Sequence, residues 1–145
     1  MTTDTHHKHD DHGHDDHKHG DDHNHAHHGG GIKRLHEGKR LSEAVIYHGF
    51  VYLAGQVASD PTADAKGQTE QCLKQIDDLL EESGSAKTRI LTATIYLPSM
   101  SDFAAMNEAW EAWVPKGNKP ARATVEAKLA SAEYRVEIQV TACTY

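Results

Sequence analysis

The sequence predicts an α+β domain in which a mixed sheet carries two helices on one face, in the order β-β-α-β-α-β-β. Three observations predict it. Runs of alternating apolar and polar residues stand before, between and after two runs with helical spacing. The second strand-like run is apolar on both of its faces. Composition changes sharply near residue 31, dividing a polar leader (1–31) from a body (32–145) of ordinary domain size.

Residues 41–48 include Ala44-Val45-Ile46-Tyr47, which reads as the first strand. His48-Gly49 then turns into a second strand, Phe50-Val51-Tyr52-Leu53-Ala54, ending at Gly55-Gln56-Val57. His-Gly is only a weak hairpin signal. Asp60-Pro61-Thr62-Ala63-Asp64 is a loop. From Gly67 to Ser83, residues Cys72, Ile76, Leu79, Leu80 and Ser83 recur at helical spacing, and Gly84 ends the run as a C-cap would. Ile90 to Leu97 forms the third strand. Ser101-Asp102 is expected to cap a second helix whose Phe103, Met106, Trp110 and Trp113 make one stripe. Pro115 stops that helix, and Lys116 to Lys119 is an exposed loop.

The last two strands alternate. Ala123, Val125 and Ala127 take one face and Arg122, Thr124 and Glu126 the other; then Val136, Ile138 and Val140 oppose Glu137, Gln139 and Thr141. If these strands pair antiparallel, Arg122 and Glu137 can share a face, setting a guanidinium fork beside a carboxylate able to hold a water. Spacing alone leaves plainer readings open: a salt bridge from Arg122 to Glu126 or Glu137, and Glu137 as an exposed strand residue. In the second strand, Phe50, Tyr52 and Ala54 oppose Val51 and Leu53, so both faces want cover. Two helices cover one, and the other is expected to pack on another copy of the chain.

Charge and cysteine content narrow the function classes. The body holds 15 acids and 13 bases, a balance that offers no basic footprint for nucleic acid. Two separated cysteines, Cys72 and Cys143, suit a reducing compartment better than a disulfide framework. No apolar run approaches the roughly 20 residues that cross a bilayer, and no apolar leader marks secretion. A cytoplasmic protein with no membrane partner is expected.

Several stretches carry a resemblance. They are Val51-Tyr52-Leu53-Ala54-Gly55-Gln56-Val57, Gln68-Thr69-Glu70-Gln71, Ala93-Thr94-Ile95-Tyr96-Leu97, Asp102-Phe103-Ala104-Ala105-Met106-Asn107, Pro120-Ala121-Arg122-Ala123-Thr124-Val125-Glu126 and Val136-Glu137-Ile138. In this order they resemble the RidA/YjgF family of reactive-intermediate deaminases, and within it the YoaB-like branch. The resemblance implies a chorismate-mutase-like domain assembled as a homotrimer with clefts between subunits. It implies hydrolysis of 2-imino and enamine acids to 2-oxo acids and ammonia, with no metal or organic cofactor for catalysis. It puts the carboxylate-binding arginine on Arg122, the water-holding glutamate on Glu137, and Gly55, Asn107 and Thr124 along the cleft. The chain departs from archetypal members at Leu41, where they have an aromatic, at Thr124, where they have a cysteine, and at Leu129-Ala130, where they have Leu-Pro.

The leader has its own chemistry. Residues 1–31 hold eleven of the thirteen histidines and seven aspartates against two lysines, a composition expected to stay unfolded without a ligand. Asp10-Asp11-His12-Gly13-His14, Asp15-Asp16-His17-Lys18-His19 and Asp21-Asp22-His23-Asn24-His25 repeat one five-residue unit. Largely neutral imidazoles at His12, His14, His17, His19, His23 and His25, flanked by carboxylates, suit zinc, nickel or copper. A purification tag or solubilising leader is the plainer reading, although tags usually run histidines without interruption. Three functions therefore stand side by side: an imine/enamine deaminase with an accessory metal-binding tail, a non-catalytic small-carboxylate-binding module, and a metal buffer or metallochaperone on a trimeric scaffold.

Overall fold

The computed structural model describes residues 31–145; the repeated histidine units lie outside the described residues. Strands β1 (Lys33–Leu35), β2 (Ala44–Tyr47), β3 (Phe50–Leu53), β4 (Gln56–Val57), β5 (Ile90–Leu97), β6 (Ala121–Glu126) and β7 (Glu137–Cys143) build one sheet. Helices α1 (Ala65–Glu82) and α2 (Phe103–Trp113) interrupt the strand series. Sheet order is β1-β2-β3-β7-β5-β6, with β4 also pairing β7. Only β5–β6 is parallel, so the sheet is mixed.

Burial follows the strand period. Val51, Leu53, Ala93, Ile95, Leu97, Ile138, Val140 and Ala142 share one side of the sheet and join Leu73, Ile76 and Leu80 of α1 and Met106 and Trp110 of α2 in a single core. The opposite side stays open, with Tyr47, Phe50, Tyr52 and Val125 each at least 39% exposed. That is the bare apolar face expected from β3.

Helix ends obey local chemistry. Asp64 caps α1 through its carboxylate, which accepts from the Gly67 N–H at 2.8 Å, so the helix starts earlier than Gly67. At the other end Gly84 has φ +73°, its N–H donates to Glu81 O, and the Ser85 N–H donates to Leu80 O. This pair of bonds is a Schellman closure. Between β2 and β3, His48 and Gly49 both take positive φ (46° and 79°), as a type I′ turn requires. The weak dipeptide makes a tight hairpin because Tyr47 and Phe50 pair directly across it.

Four expectations need correction. Strands β1 and β4 are additional: β1 is charged and short, and β4 is what remains of the second strand after Ala54-Gly55 interrupts its ladder. Asp102 does not cap α2 with its side chain. Its carboxylate instead accepts from Arg135 Nη2 at 2.6 Å and Nε at 3.2 Å, while Ser99 caps the short 3-10 turn Met100–Asp102. Phe103 leaves the apolar stripe and is exposed, whereas Met106 and Trp110 are buried. Finally, β6 and β7 are not neighbours, because β5 lies between them and pairs with both.

Candidate functional site

Strand β6 is one of the two edges of the sheet, opposite β1, and its register fixes where Arg122 points. Arg122 lies opposite Ala93, which lies opposite Val140; Thr124 lies opposite Ile95, which lies opposite Ile138. Directly paired residues project to the same side. Arg122 and Thr124 therefore project to the helix side, while Ala121, Ala123 and Val125 form the exposed set. The alternation within β6 is as expected. Its polar half, however, faces the helices.

The Arg122 guanidinium lies half-buried against α2. Its Nη1 is 3.9 Å from Met106 Sδ, and its Cζ stands 5.3 Å from the centroid of the Trp110 ring. Among the described residues no carboxylate forms a salt bridge with it, so neither Glu126 nor Glu137 is its partner. Burial pulls its pKa below the ordinary arginine value, and the charge of Glu111 on α2 works against that shift. Thr124 Oγ1, next on the same side of β6, is buried with no hydrogen-bond partner among the described residues. Asn107 is half-buried on α2, one turn before Glu111 and next in the chain to Met106. Arg122 and Thr124 form one group on the helix side of β6.

Glu137 belongs to a second group. It opens β7, pairs with Tyr96 and Val57, and projects to the open side together with Gln139 and Thr141. Its side chain lies against Gly55, where an added Cβ would stand 3.0 Å from Glu137 Cδ. Burial pushes the nearby Cys72 thiol up to about 12, with the Glu137 charge as a second cause. Cys72 is fully buried and donates to Gln56 O at 3.3 Å, so it stays an inert core thiol.

The two groups do not meet in one chain. Arg122 and Glu137 stand two strands and three residues apart, on the order of 14 Å between backbones from standard strand dimensions. They also project to opposite faces, which corrects the expectation of a shared one. The groove of about 310 Å³ between α1 and α2, floored by Leu73, Ala109, Ala112 and Trp113, includes neither residue.

Two arrangements went unread in the sequence. Trp110 and Met106 come under Arg122 through the packing of α2 on the sheet edge. The Asp102–Arg135 bridge pins the approach to β7, aided by Gln68, whose Oε1 accepts from the Arg135 N–H at 2.9 Å. No local pattern announces either. Among the described residues no group of three or more His, Cys, Asp or Glu could hold a metal, and no helix is long and apolar enough to cross a membrane.

Comparison with known proteins places this geometry among relatives. A family model described as Endoribonuclease L-PSP matches residues 31–144. A RutC family protein of Haemophilus ducreyi is 48% identical over 111 residues, covering 77% of this chain and 95% of the relative. The RutC family protein YoaB of Escherichia coli is 47% identical over 111 residues, covering 77% and 96%. The crystal structure of a YjgF family member from Neisseria meningitidis is 45% identical and superposes with a TM-score of 0.78, covering 81% of this chain and 98% of that one.

Proposed function

Because the chain belongs to the endoribonuclease L-PSP family, the RidA/YjgF family its motifs resemble, we propose that it hydrolyses 2-imino and enamine acids to 2-oxo acids and ammonia. The observation that carries this reading is Arg122: a half-buried guanidinium on a free sheet edge with no carboxylate of its own among the described residues. A partly desolvated cation with no direct ion pair is costly to keep, and a small carboxylate would satisfy it through two charge-assisted bonds.

Glu137 completes the site from a second copy. Its open face carries Phe50, Tyr52 and Val125 and invites another subunit, so the edge of one chain can reach the open face of the next. A homotrimer closes such a head-to-tail contact with three equivalent clefts. In each cleft Arg122 of one copy would hold the substrate carboxylate, and Thr124 and Asn107 would line the wall. Glu137 of the other copy would draw a proton from water as the oxygen adds to the iminium carbon. Returning that proton to nitrogen makes ammonia the leaving group, and the C–N bond breaks as the new hydroxyl gives its remaining proton back to Glu137, leaving the 2-oxo acid. General-base help of about 10²–10⁴-fold suffices for an already electrophilic carbon.

The family's name points to ribonuclease action, but the near-neutral body and the short Lys116/Lys119 pair give RNA little to hold. A non-catalytic carboxylate-binding module is the second reading. The separation of Arg122 from Glu137 within one chain favours it, since the Arg122 group alone could bind an acid. Ammonia release from freshly generated 2-iminobutanoate decides: the rate should be lost in Arg122→Ala and in Glu137→Gln. Equal rates in the variants and the intact chain overturn the hydrolase, while binding of 2-oxobutanoate without turnover supports the module. For the leader, the proposal is divalent transition-metal binding by His12, His14, His17, His19, His23 and His25. Calorimetric zinc, nickel or copper uptake should vanish when residues 1–31 are deleted, leaving deamination intact.

A further inference from the structure

We infer that Trp110 is the positioning residue of the Arg122 guanidinium, a role that rests on the carboxylate-binding reading above. A free arginine side chain carries much rotamer freedom, and its planar fork helps a ligand only when its plane is held before the ligand arrives. Among the described residues no carboxylate and no backbone carbonyl holds this fork. Its contacts are the Trp110 ring at 5.3 Å and Met106 Sδ at 3.9 Å. An aromatic face attracts the cation through its quadrupole without occupying the N–H donors in strong hydrogen bonds. A salt bridge would have held the fork equally well, but would have competed with the substrate for it.

The platform is itself fixed. Trp110 is 7% exposed and packs in the core; Trp113 braces it with ring centroids 5.5 Å apart and planes at 51°. Trp113 Nε1 in turn donates to Asp77 Oδ2 on α1 at 2.8 Å. The orientation of Arg122 is thus inherited from the packing of both helices.

Replacing Trp110 by Leu and by Phe in the full chain tests this. Trp110→Leu should raise KM for the imine, and Kd for 2-oxobutanoate, by about tenfold while kcat changes less than about twofold; Trp110→Phe, which keeps a ring face, should restore most of the affinity. Trp113→Phe leaves Trp110 as the sole indole, and its emission should shift on 2-oxobutanoate addition with the midpoint found by calorimetry, a shift that Arg122→Ala abolishes. A Trp110→Leu chain that binds as tightly as wild type, or a silent Trp110 emission at saturating ligand, overturns the positioning role alone. Wild-type protein that binds no 2-oxobutanoate overturns the carboxylate reading and this role with it. If Trp110→Leu does not fold, the Trp113→Phe titration decides.

Discussion

Gly55 and Glu137 occupy one another's space: a Cβ on Gly55 would stand 3.0 Å from Glu137 Cδ, 3.2 Å from Cγ and 3.3 Å from Oε1. The glycine is demanded here by close approach. Its missing side chain lets the glutamate lie along the interruption between β3 and β4.

Gly55→Ala should therefore displace the Glu137 carboxylate while barely touching the core. The expected result is a fall in the proposed deaminase rate of up to about tenfold, for a carboxylate displaced by a few tenths of an ångström, with stability within about 1 kcal/mol of wild type. Steady-state kinetics beside a urea melt measures both. Full activity with a displaced carboxylate would remove Glu137 from the mechanism.

The proposed division of the site between copies of a trimer predicts complementation. Arg122→Ala and Glu137→Gln chains should each be inactive alone. Unfolded together and refolded, they should regain activity, because one cleft in each mixed trimer then pairs an intact Arg122 with an intact Glu137. No recovery in mixed trimers, verified by native mass spectrometry, counts against a shared cleft.

Cys72 predicts a pH effect of definite sign. Its folded pKa is raised from 9.0 to about 12 by burial. Below pH 9 the thiol is protonated in both states and its contribution is fully present. As pH rises from about 9 to 12 the unfolded thiol ionises first, so stability falls by up to about 1.4 kcal/mol per pH unit from this group. Denaturant melts across that range should show a shallower decline in Cys72→Ala than in wild type.

His48 holds left-handed backbone at φ 46° in the tight turn after β2. Asparagine tolerates that region better and suits the first central position of a type I′ hairpin. His48→Asn should stabilise the protein by about 0.5 kcal/mol, read as a rise in Tm of about 2–3 °C. An unchanged or lower Tm would show that the Tyr47–His48 edge contact, with centroids 4.0 Å apart, offsets the backbone gain.

Much of this was legible in the sequence because it is local. The strand-like run Ile90–Leu97 bounded β5 to the residue, the spacing of Cys72, Ile76 and Leu80 gave α1 its buried face, and Gly84 marked the helix end. Asp102 shows the limit. It has the composition of an N-cap, yet a guanidinium 33 positions along the chain takes its carboxylate.

Alternation along a strand fixes which residues share a side with one another, and it paired Arg122 with Thr124 and Glu137 with Gln139 before any fold was known. It cannot say which side of one strand matches which side of the next. That depends on strand order and register, set by crossover helices linking residues far apart in the chain. Inserting β5 between β6 and β7 turned Arg122 toward Trp110 under α2 and left Glu137 on the bare face beside Gly55. Tertiary packing alone decided that the guanidinium and the carboxylate stand apart in one chain.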